Sequence, residues 1–569
     1  MAGNRPRDTA TILSLLTLEQ KVSLLAAIDW WRTPAIDRPE VFVPQIKTTD
    51  GPNGARGESY VSGIKAACFP CGTSMGATFD KDLLYNIGLH IAKEAQTKSA
   101  DILLAPTLNV IRHPLGGRNY ETYSEDPVVL GKLAAAFVRG CQSLGVPATP
   151  KHFVANEAEN ERKTLSVEVD EQTLREIYLL PFQLVVKESE PWCFMTSYNR
   201  VNGRYVADDY RLVTEVLRGE WGFKGLCINA GVDLEMPGPP KWRGTALFDA
   251  VRNGQVKQSI IDENARRVID MAKFLGKFDH PDEPPVRAVD DAERDEFIAT
   301  AGAEGMVLLK NTNGILPINK KSQVAIIGHH ATHVSLGGGG SARVDALHAV
   351  SPIEGMQKAG FDVQASPGIP VFGALPHAEP SMVTDPEGKT STTPVKVEWF
   401  NSAMIGENLV HTEQRPSAEY MIKEQWPSYL SKDYCSRMTF TLTPSRSGNH
   451  IFSVVSTGRT RCLIKFLVKN TGPVFGKVMV QLYVAGSSDV GRKRPVKELK
   501  DFVKVGLKPD ESRECCLLLD KYAVSVYDGQ EGCWMAQQGA YKVTVGLSSV
   551  DIRAEVGFEL AKTVQWRGV

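Results

Sequence analysis

The residues best able to do chemistry lie just behind short apolar runs. Lys151-His152-Phe153-Val154-Ala155-Asn156-Glu157, continuing to Arg162, gathers cations and carboxylates at the end of one such run. A group of this kind can hold sugar hydroxyls through charge-assisted hydrogen bonds. Read alone, it is equally the solvated start of a helix. Thr49-Asp50-Gly51-Pro52-Asn53-Gly54, Gly116-Gly117-Arg118 and Tyr198-Asn199 follow other apolar runs in the same way. In a parallel barrel all of these clusters would emerge at the C-terminal face, where such enzymes place their site. The bland alternative is that they are turn residues, but charged groups recur behind run after run.

The elements that must position them alternate from about residue 36 to 278. Val43–Thr48, Ile102–Leu108, Ala148–Val154, Cys193–Tyr198 and Gly225–Ile228 read as strands. Between them Leu84, Ile87 and Ile91, then Leu130, Leu133 and Phe137, then Leu174, Ile177 and Leu180, recur at helical spacing. Strand–helix alternation of this length predicts a (β/α) barrel or a doubly wound sheet. Ahead of it, Ile12, Leu15, Leu16, Leu18, Val22 and Leu25 predict an amphipathic surface helix.

Asp279–Asp291, rich in Pro and Asp, reads as a linker. Gly305–Leu309 is expected to continue a helix or strand, and Gln323–Gly328 to be a buried strand. Ile353–Ala359 as a helix leading to Phe361–Gln364 would complete one βαβ unit of a second α/β domain. Beyond a loop-like 366–394 only β signals follow: Val395–Phe400, Met438–Leu442, His450–Val455, Val478–Val484 and Ala540–Val545. The last hundred residues suggest a β-sandwich.

Composition narrows the possible functions. In 569 residues, 65 Lys and Arg stand against 66 Asp and Glu, so no charge excess points to nucleic acid or membrane lipid. With 42% hydrophobic and 23% charged residues the chain is an ordinary globular protein. No apolar run reaches the ~18 residues of a membrane span. The first thirty residues lack a signal-peptide pattern, no Asn-x-Ser/Thr sequon occurs and ten cysteines are scattered, which together predict an intracellular protein with reduced thiols. Cys68-Phe69-Pro70-Cys71 reads as a pair of buried thiols rather than a redox or zinc site, since no second such pair exists. His329, His330 and His333 lack supporting ligands for a metal, and Gly337–Gly340 with Ser341 lacks the Gly-Lys-Ser/Thr of a phosphate loop. No cofactor and no metal are expected.

Taken together these strings resemble the glycoside hydrolase family 3 β-glucosidases of fungi. Thr49 to Gly57 is similar to the family's glucose-binding loop. Arg118-Asn119-Tyr120-Glu121 with Ser124-Glu125-Asp126, the Lys-His-Phe-Val segment, Met195 to Gly203 and Asp233-Leu234-Glu235-Met236-Pro237-Gly238 match further blocks in the family's order. The resemblance implies a multidomain chain. A TIM-like (β/α) barrel would span 1–278, a linker 279–291, and a partial second α/β sandwich domain 292–393. A partial PA14-like β-domain would follow over 394–465, and a fibronectin type III-like sandwich over 466–569. It further implies that Asp50, Arg118, Lys151, His152, Arg162 and Tyr198 hold a glucose ring, with Met195 packing beside it. The chemistry fits, because Asp50 can accept from vicinal hydroxyls while Arg118 and Lys151 donate and His152 can do either. The implied partner is a small-molecule β-glucoside or glucose. Many members of this family are secreted, the alternative to the intracellular expectation.

Retaining glycoside hydrolysis needs two carboxyl groups ~5–5.5 Å apart. In the family the nucleophile is the Asp of a Ser-Asp-Trp that follows a Trp-Gly-x-x-Gly-Leu segment. Here Trp221-Gly222-Phe223-Lys224-Gly225-Leu226 runs straight into Cys227-Ile228-Asn229-Ala230-Gly231-Val232-Asp233, without that block. The family's acid/base Glu would lie where Gly458-Arg459-Thr460 passes directly to Lys465–Asn470. Asp233 is the remaining substitute nucleophile. A parallel crossover takes at least ~10–12 residues, so Leu226–Ile228 and Val232–Met236 must merge or close the barrel irregularly. The activity expected from the resemblance is release of terminal β-D-glucose. The alternatives are a glucose-binding remnant without turnover, or skipped coding blocks, which abrupt gaps between well-kept motifs suggest.

Overall fold

The computed structural model describes residues 5–58, 63–228, 232–332 and 334–366. Toward the C-terminus it describes 383–385, 387, 389–401, 408–415, 427–431, 435–439, 441–442, 476–485, 497–507, 525–529, 531–537, 539–546, 548–550, 552–560 and 563–567. The expected strand His450–Val455, the Gly458–Asn470 junction and His333 lie outside these residues, as do Asn229, Ala230 and Gly231.

Five short parallel strands carry the first half: β1 (Thr48–Asp50), β2 (Ile102–Leu104), β3 (Lys151–Phe153), β4 (Cys193–Thr196) and β5 (Leu226–Ile228). All five lie within or beside the expected runs but are shorter, because each run's polar end already turns into a loop. β1 pairs with β2, single parallel bridges at Leu103–Ala148 and Thr107–Lys151 join β2 to the β3 segment, and β3 pairs with β4 and β4 with β5. After β5 the ring closes irregularly. Leu234 makes one parallel bridge to Ile228, and Glu235 one to Ala26. The Thr48 N–H then donates to the Trp31 carbonyl at 2.7 Å, returning the ring to β1. Single bridges replace full strands where a crossover helix has no room.

The helices pack outside this ring. Lys81–Thr97 is capped by Asp80 and buries Leu84, Ile87 and Ile91. Pro127–Gln142 is capped by Asp126 and buries Leu130, Leu133 and Phe137. The two lie against each other so closely that a Cβ on Gly88 would stand 2.2 Å from the Phe137 carbonyl oxygen. Leu174 and Leu180 are buried as their spacing predicts, Ile177 partly so. Each such side chain contributes roughly 1.5–3 kcal/mol of apolar burial. The expected single N-terminal helix is two, Thr9–Leu15 and Leu18–Leu24. Thr17 breaks the run by forming a capping box with Gln20.

The second α/β region is the main departure. β6 (Gln323–Ile327) and β7 (Asp362–Ser366) pair in parallel around the helix Pro352–Lys358, as the βαβ reading requires. The expected burial of Gln323–Gly328 fails: Ile327 is 74% exposed, and the helix has no buried residue. Two strands and one short helix offer too little surface to bury one another's apolar faces. Gly305–Leu309 is no regular element either, because the helix Ala292–Glu304 ends there and leaves Met306 and Leu309 exposed. Asp279–Asp291, free of helix or strand, is pinned to the barrel: Glu283 pairs with Arg32 and Lys47, and the Arg287 N–H donates to the Thr97 carbonyl.

Val395–Phe400 forms the middle of an antiparallel sheet between Leu409–Arg415 and Cys435–Thr439. The C-terminal part is two antiparallel sheets. One runs Glu498–Leu507, Gly476–Ala485, Gly539–Gly546, Ile552–Leu560; the other Ser525–Asp528, Cys533–Ala536, Val564–Trp566. Phe502, Tyr483 and Leu499 join the barrel's core, with Phe502 edge-on to Phe79 at 5.0 Å between ring centroids.

Candidate active site

Three of the strands and the loops behind them supply the polar residues. Asp50 is the last residue of β1, Lys151 and His152 sit within β3, and Met195 lies on β4 with Tyr198 two residues beyond it. Arg118 comes from the loop after β2, and Arg162 from the loop after β3. The structure brings these residues into one cluster.

Asp50 is 5% exposed, and its Oδ2 accepts from Arg56 Nη2 at 2.9 Å. Its Oδ1 lies 3.5 Å from Lys151 Nζ. Burial alone would raise the Asp50 carboxyl, but Lys151, Arg56 and Arg118 hold it below the ordinary carboxylate range. Burial pulls the Lys151 ammonium below the usual lysine range while Asp50 draws it back up. Glu121 grips Arg118 with both oxygens, Oε1 at 2.5 Å from Nε and Oε2 at 2.9 Å from Nη2, and Thr107 donates to the same Oε2. Arg118 Nη1 stands 3.0 Å from His152 Nε2, and His152 Nδ1 stands 3.4 Å from Asn109 Oδ1. Burial, with Arg118, Lys151 and Arg162 nearby, keeps the imidazole far below its usual pKa and therefore neutral at neutral pH. A neutral ring can take the Arg118 N–H on Nε2 and give its Nδ1–H to Asn109.

Arg162 pairs with Glu159 at 2.7 Å and lies over the Tyr198 ring at 5.3 Å from its centroid. Met195 is half-buried beside β3, in register with Lys151. The Gly337–Ser341 loop reaches the cluster from the second α/β region. Arg118 Nη2 donates to Ser341 Oγ at 3.2 Å and Tyr120 OH to the Gly339 carbonyl at 2.9 Å. A Cβ on Gly338 would stand 2.4 Å from the Tyr120 ring, so only glycine lets this loop close over it. Arg56 lies in the loop whose sequence resembles a glucose-binding one, whereas Glu121 and Glu159 are contacts to which the sequence reading gave no role of their own. The spacing of Glu121 three residues after Arg118 was the available signal for one of them.

Asp233 does not join this cluster. Its Oδ2 accepts from Arg218 Nη2 at 2.6 Å and from the Cys227 N–H at 2.7 Å, and its Oδ1 from Arg267 Nη1 at 2.8 Å. Three donors fix the carboxylate as the tie between the irregular closure and the outer helices. A substitute nucleophile would need to sit ~3–3.5 Å from a reacting carbon, and here Asp233 lies apart from the cluster on its own partners. A cavity of about 290 Å³ lined by Val201, Asn202, Arg204, Asp209, Arg211 and Leu212 is lined by none of the residues of the polar cluster.

Cys68 and Cys71 are free thiols, as expected, but of intermediate exposure rather than buried. Burial still pushes the Cys68 thiol up to about 11. Among the described residues no helix is long and apolar enough to cross a membrane.

Comparison with known proteins matches the glycosyl hydrolase family 3 N-terminal domain over residues 37–229, that family's C-terminal domain over 306–472, and a fibronectin type III-like domain over 478–549. Beta-glucosidase B of Emericella nidulans is 41% identical over 483 residues, which cover 81% of this chain and 56% of the relative. The beta-glucosidase of Rhizobium radiobacter is 42% identical over 473 residues, covering 80% of this chain and 56% of the relative. The chain thus spans a little over half the length of these curated relatives. The crystal structure of beta-glucosidase from Kluyveromyces marxianus in complex with glucose superposes with a TM-score of 0.83 at 24% identity, covering 99% of this chain and 100% of that one. Beta-glucosidase 3B from Thermotoga neapolitana in complex with glucose gives 0.75 at 22% identity, covering 98% and 100%. At such identities the likeness establishes a shared fold.

Proposed function

The chain belongs to glycosyl hydrolase family 3, and on that premise we propose that it acts on β-glucosides, taking the terminal non-reducing β-D-glucosyl residue at the barrel mouth and releasing glucose by a retaining mechanism. The observation that carries this reading is the cluster itself. Asp50 pairs with Lys151, Arg118 with His152, and Arg162 lies over Tyr198, drawn from three strands and the loops that follow them. An ionised, buried Asp50 accepts hydroxyl protons, the cations donate to hydroxyl oxygens, and the neutral imidazole can turn either way. Such an array matches a ring bearing several adjacent hydroxyls. It requires neither metal nor cofactor. We also read 394–465 as a PA14-like insertion, a reading supported by the antiparallel sheet around Val395–Phe400.

A second reading, glucose binding without turnover, is favoured by Asp233. Arg218 and Arg267 each hold one of its oxygens, apart from the polar cluster. The experiment is release of p-nitrophenol from its β-glucoside by the full 569-residue chain beside Asp233→Asn, with the melting temperature of each measured with and without glucose. Turnover that Asp233→Asn abolishes without lowering the melting temperature supports hydrolysis through a mobile Asp233. No turnover, with glucose still raising the melting temperature, supports the binding reading. Neither turnover nor a glucose-dependent shift overturns both.

A further inference from the structure

Asn109, in the loop behind β2, is buried against His152. Its carboxamide is clamped on the His152 backbone: Nδ2 donates to the carbonyl at 2.9 Å, and Oδ1 accepts from the backbone N–H at 3.0 Å. A carbonyl only accepts and an N–H only donates, so these two bonds settle which end of the carboxamide is which. Oδ1 is therefore the atom that also faces His152 Nδ1, at 3.4 Å. An amide oxygen offers lone pairs alone, which favours a proton on Nδ1. The other side of the ring gives the same answer independently. Arg118 has only donors, and its Nη1 stands 3.0 Å from His152 Nε2, so Nε2 accepts.

Resting on the reading of this cluster as a sugar site, we propose that Asn109 is a positioning residue for sugar binding: it keeps the His152 proton on Nδ1, so that the lone pair of Nε2 holds the Arg118 guanidinium in the cluster. The bond made by one ring nitrogen decides what the other can do. Arg118 is then gripped from two sides. Glu121 takes its Nε and Nη2, with Thr107 donating to Glu121, while His152 takes its Nη1. Both supports rest on one short segment. Thr107 bridges to Lys151, the Leu108 N–H donates to the Lys151 carbonyl at 2.8 Å, and Thr122 Oγ1 donates to the Asn109 carbonyl at 2.7 Å. Thr107 to Asn109 thus orients Arg118 before any sugar arrives, and a guanidinium already oriented loses less freedom on binding.

The test is nitrogen NMR of the full chain with isotope-labelled histidine, the His152 signals being identified by their loss in His152→Gln, beside titration calorimetry with D-glucose. Both are repeated with Asn109→Asp and Asn109→Leu. In the native chain at neutral pH a proton on Nδ1 and none on Nε2 is expected; a proton on Nε2 overturns the proposal. Asn109→Asp sets a carboxylate beside the ring, where it favours the imidazolium against Arg118, Lys151 and Arg162. The pH at which the ring takes its second proton is expected to rise, and below that pH glucose binds roughly tenfold more weakly or worse. Asn109→Leu is expected to let the proton appear on Nε2 and to weaken glucose by a similar factor. A merely structural Asn109 would lower the melting temperature of both variants and leave the ring's protons where they are, which overturns the proposal. So does an unchanged glucose affinity in a variant whose ring has changed. Should Asn109→Leu fail to fold, Asn109→Asp, which keeps an acceptor for the His152 N–H, decides alone. No heat from glucose with the native chain, its proton on Nδ1 as expected, overturns the sugar reading and leaves the hold on His152 standing.

Discussion

His152 holds Arg118 on one ring nitrogen and faces Asn109 with the other, so protonating it sets a charge against three neighbouring cations. Its folded pKa lies well below the ordinary 6.5. The unfolded chain therefore binds the extra proton first as pH falls, and stability rises with pH up to about 6.5. The melting temperature of the native chain is expected to drop between pH 7 and 5 more steeply than that of His152→Gln. Parallel slopes would show that another group governs the window. The same reasoning makes the neutral imidazole the state in which the site holds Arg118. Asp50 and Glu121 both stay ionised in that range, because the cations around each outweigh its burial.

At the scale of elements, the helix Pro127–Gln142 shows how two rules compete. Asp126 caps it by accepting from the Val128 and Val129 N–H groups, which normally favours the carboxylate. Burial wins, and lifts the Asp126 carboxyl from 3.8 to about 6. The native state then holds this proton more tightly than the unfolded chain, so the contribution is full below pH ~4 and lost as pH rises through about 6. Asparagine keeps the capping oxygen without the buried charge. Asp126→Asn is expected to stabilise the protein by about 1–3 kcal/mol at pH 7.5 and by nothing below pH ~4, read from melting curves at both values. A destabilised variant at pH 7.5 would mean that the charge–dipole interaction at the helix start dominates. The second α/β region shows the opposite balance: β6, β7 and one helix form as their pattern demands, yet bury almost nothing.

Over the whole molecule, the barrel is stabilised from outside its own sequence range. Phe502, fully buried from the C-terminal sandwich, packs on Phe79, and Lys504 pairs with Glu304. Phe502→Ala is expected to cost about 3–5 kcal/mol and to uncouple the sandwich from the barrel. Calorimetry would then resolve two transitions where the native chain gives one; a single transition at an unchanged temperature would show that the docking contributes little. The Gly337–Ser341 loop ties the second region to the barrel mouth in the same way, through Arg118 and Tyr120. The small α/β region therefore contributes contacts to the cluster although its described part buries little of its own surface.

The sequence alone determined where the strands of the barrel and sandwich lie and which residues end them, because both depend on local patterning. Alternating apolar runs and helical spacing placed β1 to β5. Asp50, Arg118, Lys151, His152, Arg162 and Tyr198 were singled out through the family resemblance of the strings that hold them, not through patterning alone. What only the tertiary structure decided is where long-range partners fall. Asp233 looks like a spare carboxylate until Arg218 and Arg267, from two helices, are found on its oxygens. Gln323–Gly328 looks like a core strand until its residues are found exposed or half-buried. Arg56, Glu121 and Ser341 acquire meaning only once Asp50 and Arg118 stand beside them. Spacing along the chain encodes which way a side chain faces, but its charge balance depends on neighbours up to hundreds of residues away, and those are set by packing.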